Sequence, residues 1–367
     1  MTSDARMPAY KSVNIQPKRI LVITQRYLGD TLLVTPLLSS LKQAYPDAEL
    51  DVLLPASNLG MLEGNRDVAK LIPLIAKPGA LNFGRLLLAL FRRYDIAIST
   101  QAGDRPVLCA ILAGKFSMGF TSGHDAKNLW KNWLLSRSLV NTDPNTHSVL
   151  ENLRFCELLK ITPCYRITPP RTALDSKKML IPAGKYVVLH VMPQWRYKQW
   201  HEQGWIDVAY YLHHKGYQLL LTGSRQEHEL AVLSRLQAKL PPETRNLAGQ
   251  LSLSETTLLI EHANIFIGPD TGITHLAAAT GVRTIALFGP TDPKAWGPWP
   301  LGYSENWPPF ASVGAQTVNN VCLIQGQEQQ GCVPCQLEGC ERHRESRSAC
   351  LDNLTSNRVI DILSEFM

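Results

Sequence analysis

Short, continuous apolar runs alternate along the chain with longer amphipathic stretches. The first unit has an apolar run at 19–24, leucines at helical spacing over 31–45, and a second apolar run at 49–54. Continuous apolar runs of this length are typical of strands buried on both faces, and the stretch between them predicts a helix. The order strand, helix, strand predicts a parallel sheet.

The same alternation continues and then begins again after the proline-containing segment 161–171, which is the best linker candidate. Before that segment we predict helices near 83–93 and 149–159 and a strand at 96–99. After it, we predict strands at 186–190, 218–222, 246–247, 265–268 and 284–288, and helices at 205–215, 226–238, 254–261 and 274–280. Two runs of similar size predict an α/β fold of two Rossmann-like domains whose parallel sheets face a central cleft.

A length of 367 residues fits two domains of ordinary size. We expect a disordered lead-in over 1–17, a first domain over 18–175, a second over 176–350, and a C-terminal helix over 351–367. The polar start predicts no secretory signal, and no apolar stretch approaches the 18 residues or more that a membrane span needs.

Composition narrows the function classes. The 37 basic and 31 acidic residues give a net charge of +6, which suits anionic substrates or an anionic membrane surface. No run of five Lys or Arg occurs, so we expect no nucleic-acid partner. Eight cysteines are too few for a disulfide scaffold, and we expect a reduced, cytoplasmic protein. The chain has no G-x-G, no P-loop motif and no Asp-x-Asp, which argues against dehydrogenases, P-loop enzymes and metal-dependent glycosyltransferases.

Three turns that follow predicted strands carry polar groups. The turn 269–272 precedes a helix that carries His275, and a helix N-terminus with a nearby glycine can bind phosphate. The turn 26–30 holds the corresponding place in the first domain, and 190–200 offers Arg196 and Lys198 among three aromatic residues. For Asp270, Thr271 and Asp30, simple helix capping is the alternative interpretation.

These turns carry a resemblance. L-G-D in the first turn, K-x-W after a middle strand, and G-P-D-T-G-I-T-H-L-A-A-A with F-G-P-T-D late in the chain resemble glycosyltransferase family nine, most of all its heptosyltransferase III-like branch. The resemblance implies a GT-B fold with a last helix that crosses back to the first domain. It also implies inverting transfer of heptose from ADP-L-glycero-D-manno-heptose to the inner core of lipopolysaccharide, with no cofactor or divalent metal.

The resemblance also implies roles for individual residues. Asp30 would be the general base, with Arg26 and Gly29 on the acceptor. The donor would be bound by Lys198, Glu227, Asp270, Thr271, Gly272, His275, Met192 and Pro193. Glu229 is an alternative to Glu227. Met192 and Pro193 stand where many relatives have small hydroxyl residues, so backbone N–H groups would have to replace those contacts.

A cysteine cluster precedes the last helix. The spacing of Cys332, Cys335, Cys340 and Cys350 is compatible with a tetrahedral structural metal such as zinc. Reduced or partly paired thiols in a surface loop are the alternative, and a metal in this cluster would be structural and remote from the transfer chemistry.

Partners follow from the same resemblance. We expect a monomer that works from the cytoplasm and touches the inner face of the inner membrane transiently, where its lipid-anchored acceptor lies. Lys115, Lys127 and Lys131, with Phe116, Phe120, Trp130 and Trp133, form a candidate membrane patch, and an ordinary solvated face is the alternative. Two other functions stay open: transfer from another nucleotide sugar, or binding without catalysis.

Overall fold

The computed structural model describes residues 16–75, 79–123, 128–140, 146–171, 181–326 and 331–366. Within these residues the chain forms two α/β domains, each built on a largely parallel sheet, which confirms the fold class that the hydrophobic pattern predicts. Most of the expected lead-in and the expected boundary at 175–176 fall outside the described residues.

The first domain has a parallel sheet with the strand order β3-β2-β1-β4-β5-β6. Its strands are β1 Arg19–Ile23, β2 Glu49–Pro55, β3 Lys70–Leu74, β4 Tyr94–Ser99, β5 Gly114–Thr121 and β6 Arg137–Val140. Its helices are α1 Leu28–Leu33, α2 Thr35–Ala44, α3 Ala80–Leu90, α4 Asp104–Ala113, α5 Leu129–Leu134 and α6 Ser148–Leu159. Helices α2 and α6 share one apolar core with the sheet, and α3 and α4 pack into a second.

The second domain has the strand order β12-β13-β11-β10-β7-β8-β9, with only β12 antiparallel among the described strands. Its strands are β7 Tyr186–His190, β8 Gln218–Thr222, β9 Arg245–Asn246, β10 Ile265–Pro269, β11 Arg283–Phe288, β12 Gln316–Val318 and β13 Val321–Gln325. Its helices are α7 Glu202–His214, α8 Glu227–Gln237, α9 Leu253–Glu261, α10 Gly272–Thr280, α11 Pro293–Trp296, α12 Ala349–Asp352 and α13 Ser356–Phe366.

The single helix predicted over 31–45 is in fact two helices. Val34 ends α1 and begins α2, and Pro36 lies in the first turn of α2. A proline lacks the N–H of an interior helical residue but fits the first turn, where that N–H has no partner in the helix. Because α1 begins at Leu28, residues Leu28, Gly29 and Asp30 lie in a helix, whereas the sequence pattern predicts a turn there.

The last helix stays with the second domain. Val359 and Leu363 of α13 are buried in the core that α7 helps to form, and the Ser356 hydroxyl donates to Asp207 of α7 at 2.6 Å. The Trp200 indole N–H donates to the Leu354 carbonyl at 2.7 Å. The expectation that this helix crosses back to the first domain is therefore corrected.

The candidate membrane patch is partly buried. Lys131 is buried and its ammonium binds Asp104 at 2.7 Å and the Ala102 carbonyl at 2.7 Å. Phe120 is buried in the first core, and Lys127 lies outside the described residues. Among its described members Trp133 is 87% exposed, and Lys115 is exposed and pairs with Asp95 at 2.9 Å. None of the helices in the described ranges is long and apolar enough to span a bilayer.

Candidate active site

A cleft of about 700 Å³ lies between the two domains. Its walls come from the turns after β1, β7, β10 and β11, together with residues 336–344 after β13. Ligand crevices of open parallel sheets form outside the carboxyl ends of the strands, and these turns all follow such ends. The cleft brings together Arg26, Gly29, Asp30, Lys198, Asp270, Thr271, Gly272 and His275, as predicted from the sequence.

The floor of the cleft is a contact between two helix N-termini. Helix α1 of the first domain meets α10 of the second, and a Cβ built on Gly272 would lie 3.0 Å from the backbone nitrogen of Gly29 and 3.4 Å from its Cα. A side chain at position 272 requires the Gly29 backbone to shift by a few tenths of an ångström. The first N–H groups of a helix have no partner inside it and carry partial positive charge, so the floor favours an anion.

Asp30 both caps the N-terminus of α1 and lines the cleft. It lies in the first turn of α1, where its Oδ2 accepts the Tyr27 backbone N–H at 3.2 Å. Burial raises the pKa of this carboxyl above its ordinary value, against the opposing effects of the Arg26 cation and the hydrogen bond from Tyr27. The capping interpretation is thus correct, and it fixes the orientation of a carboxylate that also lines the cleft.

Lys198 and Asp270 form an ion pair across the second domain's side of the cleft. Lys198 ends a short 3-10 helix after β7, and its Nζ lies 2.6 Å from Asp270 Oδ2. Burial opposes both charges, yet the attraction between them dominates: it lowers the pKa of Asp270 and raises that of Lys198. Both groups are therefore charged at neutral pH.

Thr271 and His275 flank the N-terminus of α10. The Thr271 hydroxyl accepts the Thr274 backbone N–H at 3.3 Å, so this residue is the helix cap that the alternative interpretation predicts. His275 is buried, and burial lowers its pKa to about 4, so its ring is neutral at neutral pH. Its Nδ1 has no hydrogen-bond partner among the described residues. A buried ring nitrogen without a partner at a cleft wall is suited to a ligand hydrogen bond.

Sequence reasoning missed the wall formed by residues 336–344. This wall lies within the cysteine segment 332–350, so the expectation that the segment is remote from the site is corrected. Arg344 stacks 4.4 Å from the ring centre of Trp195 and binds Glu338 at 2.9 Å, and Trp195 in turn meets Tyr27 of the first domain edge-on. The signal that could have found this wall is the apolar run of β13, because the loop after it must leave the same sheet edge as those after β10 and β11.

Three predicted donor residues lie outside the cleft lining. Glu227 is exposed at the start of α8, and Met192 and Pro193 are buried behind the cleft after β7. Glu229, the alternative, is buried and its Oε1 accepts the Ser224 backbone N–H at 2.9 Å, so it holds the turn after β8.

The four cysteines of the cluster differ in exposure. Among the described residues no three His, Cys, Asp or Glu side chains come together to hold a metal ion. Cys332 and Cys340 are exposed while Cys350 is buried, and burial, with the neighbouring thiols, raises the pKa of Cys350 to about 12. Metal binding would itself release the thiol protons, so this pKa does not decide the question. The structural-metal hypothesis therefore stays a prediction.

The arrangement suits one kind of chemistry. A carboxylate of raised pKa, two nearby cations and a helix N-terminus at the cleft floor can hold an anionic leaving group on one side and take a proton from a hydroxyl on the other.

Comparison with known proteins agrees with this geometry. Residues 84–312 match the model of glycosyltransferase family 9 (heptosyltransferase). The chain is 33% identical over 301 residues to lipopolysaccharide heptosyltransferase 3 of Escherichia coli K12, covering 77% of this chain and 86% of the relative.

Solved structures show the same fold. A family 9 glycosyltransferase from Veillonella parvula aligns with a TM-score of 0.73 at 18% identity, over 95% of this chain and 97% of the other. The ADP-heptose heptosyltransferase II of E. coli aligns with a TM-score of 0.72 at 20% identity, over 95% and 98%. The two domains thus have the GT-B arrangement, and the chain belongs to glycosyltransferase family 9, the heptosyltransferase family.

Proposed function

We propose that this glycosyltransferase transfers a heptose from ADP-heptose to the inner core of lipopolysaccharide, with inversion at the anomeric carbon and without a metal cofactor. The observation that carries the proposal is Asp30, a carboxylate of raised pKa at the cleft floor, next to the N-terminus of α10. The donor and the class of acceptor are inferred from the activities for which the relatives described above are named.

In the proposed reaction Asp30 takes the proton of an acceptor hydroxyl as its oxygen attacks the anomeric carbon. The bond from that carbon to the diphosphate oxygen breaks, and ADP leaves from the opposite face of the sugar. Lys198 and the free N–H groups of α10 meet the charge that develops on the diphosphate. Tyr27 holds one oxygen of Asp30, so the base is oriented before the acceptor arrives.

The donor contacts follow the cleft geometry. Thr271 and Gly272 present backbone N–H groups to phosphate, and Asp270 accepts from sugar hydroxyls while Lys198 keeps it ionised. Neutral His275 offers Nδ1 as a hydrogen-bond partner rather than a charge.

The remaining assignments belong to the same proposal. Glu227, on the exposed side of α8, serves the nucleoside end, and the Met192 backbone N–H supports the diphosphate. Pro193 has no N–H and contributes only by holding the turn that carries Met192. Arg26 and Gly29 contact the acceptor. The enzyme acts as a monomer at the cytoplasmic face of the inner membrane.

The deciding experiment measures ADP release and product mass from purified protein with ADP-heptose and a truncated, delipidated core acceptor. UDP- and GDP-sugars are tested beside it, because another nucleotide sugar is the main alternative. Turnover that requires both ADP-heptose and acceptor supports the proposal. Nucleotide-sugar binding without any turnover would instead favour a binding protein on the same fold.

Replacing Asp30 by Asn tests the base. We expect kcat to fall by about 10²- to 10⁴-fold, the usual contribution of a general base, while ADP affinity is unchanged. Wild-type kcat/KM should fall on acidification as Asp30 is protonated. Because its pKa is raised, this fall should occur at a higher pH than the protonation of an ordinary aspartate, and it should be absent in the Asn variant. Asp47→Asn, at an exposed carboxylate of the same domain, is the matched control. Near-normal turnover in Asp30→Asn would contradict the assignment.

A further inference from the structure

Helix α3 exposes an apolar strip that the described residues of its own domain leave uncovered. Leu81 and Leu88 are 78% and 77% exposed, and Phe91 just beyond the helix is 58% exposed. The opposite side of the helix, with Phe83, Leu86 and Leu87, packs against the core beneath the sheet. Positions 81, 85 and 88 lie on one helical face, so the strip is continuous rather than scattered.

The charges on this strip have one sign. Arg85, Arg92 and Arg93 are all exposed, and the sequence contains no Asp or Glu between residues 75 and 94. Arg85 lies between the two exposed leucines on the same face. An apolar stripe bordered by arginines is the composition that binds in the interface of an anionic bilayer.

A second copy of the chain fits this strip poorly. In a two-fold symmetric dimer the same patch faces itself, which would set three arginines against three others. An anionic lipid surface is complementary to the same residues. The exposed Trp133 of α5 is a further interfacial residue, since α4 contacts both α3 and α5.

We propose that the exposed strip of α3, formed by Leu81, Arg85, Leu88, Phe91, Arg92 and Arg93, is the surface by which this protein docks on an anionic membrane. This inference rests on the proposed function only in that a lipid-anchored acceptor gives the docking its use. It replaces the patch around Lys131, whose side chain is buried in an ion pair.

The test is co-flotation of the full chain with vesicles of phosphatidylcholine alone or with added phosphatidylglycerol. Wild type should bind only the anionic vesicles, and less at high salt. The double variants Leu81→Ser/Leu88→Ser and Arg85→Glu/Arg93→Glu should each weaken that binding about ten-fold or more. Val313→Ser and Arg235→Glu, at exposed positions of the second domain, are the matched controls and should bind as wild type does.

Kinetics separate this proposal from the proposed function. The α3 variants should keep wild-type kcat and KM on a delipidated acceptor and show a raised apparent KM only on acceptor embedded in anionic vesicles. Unchanged vesicle binding in both double variants, or a wild type that ignores anionic vesicles, would overturn the docking surface while leaving soluble turnover as evidence for the transferase. A wild-type dimer that these substitutions dissociate, without any vesicle binding, would assign the strip to a second copy instead.

Discussion

At the scale of single residues, the cleft depends on charges that stabilise each other. Asp270 is 7% exposed and Lys198 is 20% exposed, so neither charge is well hydrated. A buried ion pair adds little net stability, but removing one partner leaves the other charge without compensation. The pair therefore keeps a carboxylate ionised next to the site proposed for the donor.

Replacing Lys198 by Met tests how far the site depends on its ion pair with Asp270. We expect ADP to bind about ten-fold or more weakly, because a charged hydrogen bond to phosphate is lost, and the free energy of unfolding to fall by about 3 kcal/mol. Adding Asp270→Asn in the same chain removes the stranded charge and should recover most of the stability but not the ADP affinity. Calorimetric titration and urea unfolding measure the two effects. An unchanged ADP affinity in Lys198→Met would refute the role of the lysine.

At the scale of elements, the decisive feature is the approach of α1 to α10. The two helices belong to different domains, and their first turns meet through Gly29 and Gly272. The two glycines leave unequal room for a side chain. A Cβ on Gly29 would lie 3.5 Å from its nearest atom, which is an ordinary contact, whereas a Cβ on Gly272 would lie 3.0 Å from the Gly29 nitrogen. Backbone cannot give way as a flexible side chain does.

Gly272→Ala should therefore move α10 relative to Asp30 and lower kcat/KM by about ten-fold or more, since small displacements of reacting groups have large kinetic effects. Gly29→Ala is the matched comparison, and its kcat/KM should fall much less. Steady-state kinetics and thermal unfolding of both variants provide the measurement. Equal losses in the two variants would show that packing at Gly272 has no special role.

At the scale of the whole molecule, His147 joins the domains behind the cleft. Its Nδ1 accepts the Val149 N–H at 3.1 Å at the start of α6, and its Nε2 lies 2.8 Å from the Gly297 carbonyl in the second domain. The ring is buried against Trp299. Burial lowers its pKa to about 3, so the neutral ring accepts at one nitrogen and donates at the other.

Acid should therefore weaken the fold. A histidine whose pKa is lower in the folded state than in the unfolded state makes stability fall as pH drops below about 6.5, by about 2 kcal/mol at pH 5 for each such ring. His147→Asn keeps a cap for Val149 but does not titrate, so its stability should change less between pH 7.5 and pH 5. His228→Asn, at an exposed position, serves as the control in urea unfolding. If wild type and His147→Asn lost the same stability between pH 7.5 and pH 5, His147 would be excluded as a source of the acid sensitivity.

The hydrophobic pattern was sufficient for much of the second domain. Strands β7 and β8 match their predicted ranges, and β10 and β11 differ by one residue at one end. These strands are buried on both faces, so nearly every position is apolar and the run itself marks the element. Between 100 and 140 the pattern failed to reveal α4, β5, α5 and β6, because their apolar positions are interrupted by residues whose burial depends on contacts with other elements. Lys131 is the example: its contacts with Asp104 and with the Ala102 carbonyl hold it in an internal position.

The sequence by itself determined the two-domain α/β fold, the family, and the motif residues that meet in the cleft, since strand ends and glycine turns are local features of the chain. Only the tertiary structure decided that Glu227, Met192 and Pro193 lie outside the cleft lining, that residues 336–344 form one of its walls, and that α13 stays with the second domain. Those outcomes depend on which distant surfaces pack together. Packing of that kind is set by the combined burial of many side chains and leaves no short signature in the chain.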